Sequence, residues 1–346
     1  MKVYIIIYIT ALCLALYKKE TKLSLLLLLF MFFTTAFRAE NVGTDTMNYI
    51  YGFSQEAYGM SDYSSRTVEF INLFLYYTVL KNDLNTRYIL VFYALITYLG
   101  LFFISRQYKV RLSYLLLFFF LTSFYIRGLN ISRQVAAVMV LMLGLKYIYE
   151  KNFVKSLLFF VFVIFAGGFH ASSYLYFILY FLRYIHFHDE KKVAGIAFFL
   201  SLLFILNIIP LEALMMRFLP KEYSIYSQSL AVSYKGSAIG MLVILFNLCI
   251  NCIVLLKYKG NFFELFAFSV VINSSIVGMD FVVSRITLFF SLTLCLAFSS
   301  FFATERKQSR ETSILFLVIL LKEPYFAFSS ITQDPTLVNF EFMPFK

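Results

Sequence analysis

Tryptophan is absent from this sequence, and charged residues occupy only 14% of its 346 positions. Apolar residues make up 61% of the chain, more than a soluble fold of this length hides in a core. A soluble domain is therefore excluded, and the composition is that of a polytopic membrane protein. Because tryptophan is missing, the 26 tyrosines are expected to form the aromatic belts at the membrane surfaces.

Motifs of nucleotide and hydrolase chemistry are missing as well. No Gly-rich loop follows a strand, no Walker lysine is present, and no Gly-x-Ser-x-Gly elbow occurs. Nucleotide-driven transport and serine hydrolysis therefore lack support. The three histidines have no metal-site spacing, and we predict no metal and no cofactor. The four cysteines lie inside apolar runs, where packing is a more common role than a disulfide.

The net charge of +11 does not indicate a nucleic-acid partner. Lysine and arginine stand singly or in short clusters between apolar runs, which is typical of cytoplasmic loops flanking membrane helices. The partner implied by this pattern is the lipid bilayer.

The apolar runs predict an all-α protein with about 12 transmembrane helices in a single membrane domain over residues 1–346. A first run, Val3–Tyr17, resembles a signal peptide but is predicted to be retained as a helix. Two larger polar loops are predicted at about 38–66 and 210–239. The remaining runs are 23–37, 67–80, 88–105, 113–126, 134–149, 156–169, 172–185, 193–209, 240–256, 262–279, 286–303 and 313–321.

One short run, Thr67–Leu80, contains Glu69 and Asn72 and is predicted to be a re-entrant or interfacial helix on the outer side. With this assignment, the basic clusters between the other runs all fall on the cytoplasmic side, as the positive-inside rule requires.

Arginines on the outer side run against that rule. Arg127 and Arg133 lie six residues apart, between two apolar runs, and Arg38 and Arg285 are placed on the same side. Outward arginines are often ordinary anchors whose charged ends reach the membrane surface. Arginine also binds phosphate oxygens bidentately, so we predict a pocket for a lipid-linked pyrophosphate sugar around the bend.

Asp45, His170 and Arg285 each have two alternative roles. Asp45, with Thr44, either caps a helix that starts near Thr46 or holds a sugar hydroxyl. His170 follows a Gly-Gly pair and is either a polar hinge or a group that takes a proton from a sugar hydroxyl. Arg285 either pairs with Asp280 or completes the phosphate site.

Four motifs in order resemble the EpsG family, which is related to Wzy-type polymerases. They are Arg38 with Gly43-Thr44-Asp45 and Tyr49, Arg133-Gln134-x-Ala136, Phe169-His170-x-Ser172, and Ser284-Arg285. The resemblance covers about Arg38 to Phe302. The loop at 210–239 departs from the broader polymerase pattern, because it carries only Arg217 and no repeated arginine motif.

This resemblance implies a GT-C-like helical bundle that polymerises O-antigen, capsule or exopolysaccharide repeat units. The substrate would be an oligosaccharide on undecaprenyl pyrophosphate, at the outer face of the bacterial inner membrane, with a flippase and a chain-length regulator as partners. The residues fit this chemistry in three roles. Arg38, Arg127, Arg133 and Arg285 would bind the pyrophosphate, His170 or Asp45 would deprotonate or orient the acceptor hydroxyl, and Tyr49, Gln134 and Tyr223 would contact the sugar.

Two other classes stay open. A flippase for the same lipid-linked glycan would also need outward arginines, but should carry charged residues along a path through the membrane. Lys146 and Glu264 are among the few candidates for such a path. A membrane O-acyltransferase would need a histidine inside the membrane, a role that His170 is able to fill.

The predicted topology is testable with reporter fusions. A fusion at Asp83 should report the outer side and a fusion at Lys109 the cytoplasm, because Thr67–Leu80 is expected to return to the side from which it entered. A cytoplasmic signal at Asp83 would show that this run crosses the membrane.

Overall fold

All regular secondary structure in the described part of the chain is helical. The computed structural model describes residues 1–17, 22–52, 69–185, 189–206, 208, 238–258, 262–276, 288–305 and 310–342. Within these ranges the elements are helices joined by turns, and the predicted all-helical class is confirmed. A single antiparallel bridge pairs Arg38 with Phe342 in the same ranges.

The described ranges contain the following helices in chain order. They are α1 (Lys2–Leu16), α2 (Lys22–Ala36), a π-helical turn (Asn48–Gly52), α3 (Phe70–Lys81), α4 (Tyr88–Gln107), α5 (Leu112–Leu121), α6 (Phe124–Asn130), α7 (Ser132–Gly144), a 3₁₀ helix (Leu145–Tyr149), α8 (Phe153–Ser156), α9 (Leu158–Phe169), a second 3₁₀ helix (Ala171–Tyr184), α10 (Glu190–Ile205), α11 (Ala238–Lys257), α12 (Phe263–Ile276), α13 (Leu288–Glu305), α14 (Arg310–Gln333) and α15 (Pro335–Val338).

The chain forms two compact units. One unit combines Met1–Tyr180 with Ser309–Lys346, and the other is Phe181–Gln308. All the predicted site residues that the structure describes belong to the first unit.

In the first unit, α7 packs between α4 and α9. Small residues allow these helices to approach closely, as is typical of helix contacts in membranes. A Cβ atom added at Gly100 would lie 2.7 Å from the Cβ of Met139, and one at Gly144 would lie 2.5 Å from the Cβ of Phe162. Every residue of α5 is buried, so this helix forms part of the core of the unit.

The apolar run 113–126, predicted as one helix, is broken near its end. α5 and α6 meet at an angle of 64°. At the break, Ser123 has a left-handed backbone (φ 61°), and the Thr122 hydroxyl donates a hydrogen bond to the Phe118 carbonyl at 2.6 Å. Hydroxyl groups that bond back to a helix carbonyl favour bending. The break places Arg127 in the last turn of α6 and Arg133 in the first turn of α7.

Helix length limits how many of these elements cross a membrane alone. Tyr88–Gln107 and Arg310–Ser329 are long and apolar enough, and α5 with α6 passes the same test as a bent pair. The apolar stretches in the other helices have 10–17 residues, fewer than the roughly 20 that a perpendicular span needs, and they are Lys2–Leu16, Lys22–Ala36, Phe70–Lys81, Phe153–Phe169, Met241–Lys257, Phe263–Ser274 and Leu288–Ala303. The apolar helices support a multi-pass membrane protein, while the count of about 12 spans and the GT-C-like arrangement stay predictions.

The helix α3 has 12 residues. At 1.5 Å per residue this corresponds to about 18 Å, well short of a hydrocarbon core of about 30 Å. The predicted re-entrant or interfacial placement of Thr67–Leu80 therefore stays open, with its first two residues outside the described ranges.

In the second unit, α12 packs against α10, α11 and α13. Hydroxyl and amide side chains join α12 to α13: Ser269 pairs with Thr293, and the Ser291 hydroxyl donates to the Asn273 side-chain oxygen. Such bonds hold helices together in lipid, where apolar surfaces alone give no preference for protein over acyl chains.

We expect Gly144→Ala to destabilise the first unit, because the added methyl group would overlap Phe162 and push α7 away from α9. The free energy of unfolding should fall by roughly 1–3 kcal/mol, as for other overpacked helix contacts. A lower thermal unfolding midpoint in detergent would measure it. Gly195→Ala in α10 is the matched control, since a Cβ there meets nothing within 4 Å. Equal midpoints for the two variants would contradict the close packing.

Candidate functional site

Residues 38–49, here called the Arg38 segment, dock on residues 127–133, here called the arginine bend. Gly43 has a positive φ of 88°, and a Cβ atom at this position would lie 2.3 Å from the Leu129 carbonyl oxygen. Glycine is the residue that tolerates both the backbone conformation and the contact. Next to it, the Thr44 N–H donates to the Asn130 side-chain oxygen at 3.1 Å. Gly43 and Thr44 therefore bring the Arg38 segment into direct contact with the arginine bend.

Arg38 is fully buried and joins three pieces of backbone. Its Nε donates to the Val42 carbonyl at 3.2 Å and to the Thr46 hydroxyl at 3.1 Å. One Nη donates to the Thr35 carbonyl, and the other to the Ser132 hydroxyl at 3.1 Å. These four acceptors are neutral oxygens, so Arg38 connects the end of α2, the Arg38 segment and the start of α7.

Arg133 differs from Arg38 in being partly exposed, with 24% of its side-chain surface accessible. Its Nη1 lies 3.3 Å from Oε2 of Glu69, and its guanidinium carbon lies 5.7 Å from the centre of the Tyr49 ring. That distance is within the range of a cation–π contact. The Arg127 side chain is exposed and makes no hydrogen bond or ion pair with another described residue.

Glu69 is the residue on which this site converges. It immediately precedes α3, and its carboxylate accepts from Arg133 Nη1, from Asn72 Nδ2 at 3.0 Å and from the Ala171 N–H at 3.2 Å. One carboxylate thus links α3, the arginine bend and the residue after His170. In the sequence, Glu69 is recognisable only as a polar residue in a short apolar run. A charge at the edge of such a run was the available signal.

A buried polar layer lies beneath the Glu69–Arg133 pair. Asn72 is fully buried, donates to the Phe169 carbonyl at 2.9 Å and accepts from the Tyr93 hydroxyl at 2.8 Å. The Tyr93 and Tyr49 rings meet edge to face with centres 5.8 Å apart. Satisfied buried networks of this kind hold their members in one arrangement. The network therefore holds Asn72, which donates to Glu69, in a fixed position beneath the ion pair.

His170 ends α9 and lies at the junction with the second 3₁₀ helix. Its Nδ1 lies 2.8 Å from the Ser172 hydroxyl oxygen and accepts the Ser172 N–H at 3.3 Å. A ring nitrogen that accepts an N–H carries no proton, so the proton of the neutral ring is on Nε2. The side chain caps the junction, which fits the hinge alternative. Its part in proton transfer stays a prediction.

The other predicted site residues fall into two groups. Tyr49 and Gln134 are described and buried, with 4% and 3% of their surface accessible, and Asp45 is partly exposed. The Asp45 carbonyl accepts the Tyr49 N–H at 3.0 Å, at the start of the helix predicted near Thr46. The second group lies outside the described residues: Tyr223, Asp280, Arg285 and most of the loop 210–239.

Residues 334–341, here called the C-terminal segment, also contact this site, which the sequence did not indicate. Asp334 accepts from Asn130 Nδ2 at 3.3 Å, and the Ala39 N–H donates to the Glu341 carbonyl at 2.9 Å. The chain's first residue joins the same region, since the Met1 amino group donates to the Val338 carbonyl at 2.9 Å. The arginine bend is thus held from one side by the Arg38 segment and from the other by the C-terminal segment.

We expect Arg38→Met to destabilise the protein by roughly 2–4 kcal/mol, because it leaves several buried oxygens without a donor. The thermal unfolding midpoint of the detergent-solubilised protein would show the loss. Arg127→Met removes an exposed arginine from the same bend and should leave the midpoint nearly unchanged. Similar losses in both variants would argue against the structural role of Arg38.

Comparison with known proteins supports one family. No curated protein and no solved structure matches the chain. The EpsG family model matches residues 21–346, which include the Arg38 segment, the arginine bend and the His170 junction. The chain therefore belongs to the EpsG family, a family of Wzy-like polysaccharide polymerases and exopolysaccharide-related membrane proteins.

Proposed function

We propose that this protein polymerises lipid-linked oligosaccharide repeat units of a surface polysaccharide. It transfers the growing glycan from one undecaprenyl pyrophosphate carrier to the non-reducing end of another unit. The observation that carries the proposal is the partly exposed Arg133, whose ion-pair partner Glu69 accepts a hydrogen bond from the Ala171 N–H at the His170 junction. Family membership supports the same class of reaction.

The reaction joins an acceptor hydroxyl oxygen to the anomeric carbon of the donor sugar. The bond between that carbon and the pyrophosphate oxygen breaks, its electron pair leaves with the pyrophosphate, and the hydroxyl proton passes to a base. The leaving group needs its developing charge neutralised. Fixed cations in a water-poor site supply this stabilisation, and one such group typically contributes about 3–4 kcal/mol.

The site residues divide this task. Arg133 binds the pyrophosphate, and the exposed Arg127 on the preceding helix adds a second cation. Arg285 lies outside the described residues and stays a predicted pyrophosphate ligand. The buried Arg38 contributes through Ser132, because this contact sets the start of α7 and hence the position of Arg133.

On the acceptor side, His170 presents its Nε2 to orient the hydroxyl, and Asp45 holds a neighbouring hydroxyl. Tyr49 and Gln134 form the surface beneath the sugar, and Tyr223, outside the described residues, stays a predicted sugar contact. In the predicted topology this site faces the periplasm or outer face of the bacterial inner membrane. A flippase supplies the substrate there and a chain-length regulator sets the length of the product, with no cofactor involved.

We expect Arg133→Ala to abolish polymerisation and leave single repeat units on the lipid carrier, because the leaving group loses its main cation. Analysis of lipid-linked glycans from a deletion strain carrying each variant would measure chain length. Lys322→Ala is the control, since Lys322 also pairs with a carboxylate, that of Glu323, and belongs neither to the Arg38 segment nor to the arginine bend.

Polymer of normal length in the Arg133→Ala strain would overturn this assignment. The deletion strain itself separates the other classes. Loss of a polymerase leaves single units on the outer face, loss of a flippase leaves them on the inner face, and loss of an acyltransferase leaves polymer length intact.

A further inference from the structure

We propose that the donor's pyrophosphate displaces Glu69 from Arg133, and that the released Glu69 carboxylate then accepts the proton of the acceptor hydroxyl. This inference rests on the proposed polymerase function and names an additional catalytic residue for it. Donor binding and acceptor activation would thereby be coupled through one ion pair.

The geometry of the Glu69–Arg133 pair is that of an exchangeable contact. A single N–H···O contact of 3.3 Å joins the two groups, and both reach the surface, with 24% of the Arg133 and 12% of the Glu69 side chain accessible. Partly exposed pairs with one contact are weak. A pyrophosphate offers more negative charge and can accept two parallel bonds from a guanidinium. The donor is therefore a stronger ligand for Arg133 than the carboxylate it replaces.

Glu69 keeps its place after the exchange. The Asn72 amide at 3.0 Å and the Ala171 N–H at 3.2 Å still donate to it, one to each carboxylate oxygen. Asn72 is itself fixed by the Phe169 carbonyl and the Tyr93 hydroxyl. The released carboxylate thus stays beside the pyrophosphate site, next to the His170 junction, instead of swinging into solvent.

The exchange changes what a carboxylate in this position can do. A carboxylate that has lost a cationic partner and gained an anionic neighbour takes up a proton more readily than a paired one. The acceptor oxygen then bonds to the anomeric carbon, the electron pair of the broken bond stays on the pyrophosphate at Arg133, and the hydroxyl proton goes to Glu69. The Glu69 carboxylate therefore becomes available as a proton acceptor only when the lipid-linked donor sugar is bound.

His170 is less suited to receive this proton. Its Nδ1 already accepts the Ser172 N–H, and the ring proton is on Nε2. In this arrangement the ring donates a hydrogen bond and orients the acceptor. Glu69 and His170 would therefore have different roles, Glu69 as the proton acceptor and His170 as a hydrogen-bond donor to the acceptor sugar.

Binding and transfer give two independent readouts for Glu69→Gln. The first is the affinity of the purified full-length protein for farnesyl pyrophosphate, used as a short polyprenyl pyrophosphate probe. Glu69→Gln should bind this probe roughly two- to fivefold more tightly, which is the range for releasing a partly exposed ion pair. The second is the chain length of lipid-linked glycan in the complemented deletion strain. Transfer should fall by about 10²- to 10⁴-fold when the base is removed, leaving mainly single units.

Glu323→Gln is the matched control, because it removes the carboxylate of the Lys322 pair, which belongs neither to the Arg38 segment nor to the arginine bend, and should change neither readout. Glu69→Asp keeps a carboxylate but shortens its reach, so it should bind the probe more tightly than the wild type and retain part of the transfer. This variant also tests the proposal should Glu69→Gln fold poorly.

The outcomes separate the inference from the proposed function. Weaker probe binding by Glu69→Gln would show that Glu69 only positions Arg133, and normal polymer in this variant would show that it is not the base. Either result would overturn the inference. The polymerase assignment would still be supported if the Arg133→Ala strain fails to polymerise. If Arg133→Ala binds the probe and polymerises normally, both fail.

Discussion

One buried guanidinium holds the candidate site together. Arg38 has no surface accessible to solvent, and its donors reach oxygens at the end of α2, in the Arg38 segment and at the start of α7. Burying a cation is costly unless its hydrogen bonds are made, so the surrounding chain has to adopt this one arrangement. The position of Arg133, one residue after Ser132, follows from it. The site therefore depends on an arginine that is itself closed off from solvent.

This dependence separates arginines that look equivalent in sequence. Arg38, Arg127 and Arg133 are all outward arginines close to helix ends, and all were predicted to bind pyrophosphate. Their surroundings differ: the first is fully buried among neutral oxygens, the second is exposed, and the third is partly exposed against a carboxylate. Since a phosphate-binding side chain must reach its ligand, Arg133 and Arg127 are better placed than Arg38. Burial depends on contacts with distant parts of the chain, which one sequence does not reveal.

The sequence predicted the helical class, because apolar runs are local signals, and the binding of substrate at the arginine bend stays a prediction. The sequence did not predict the break at Ser123, since Thr122 and Ser123 are uncharged residues in an otherwise largely apolar run and hydroxyl residues alone do not specify a bend. It also missed the contact of Asp334 with Asn130, which joins residues 204 positions apart. Contacts at this separation follow from how helices pack. The motif residues Gly43 and Thr44 were identified from the resemblance, but their reason, a close approach to Leu129, is visible only in the structure.

Glu69 shows why a function is hard to infer from residue type alone in a membrane protein. A carboxylate near the end of a short apolar run looks like a liability, and pairing with a nearby arginine is the simplest way to stabilise it. The structure adds that the Glu69 carboxylate is also bound by Asn72 and Ala171, so that it does not depend on Arg133 alone for its position. An anion that is held independently can exchange one partner without moving. A charged substrate is the kind of ligand that brings about such an exchange, and for this reason we propose a catalytic role for the ion pair in addition to its contribution to stability.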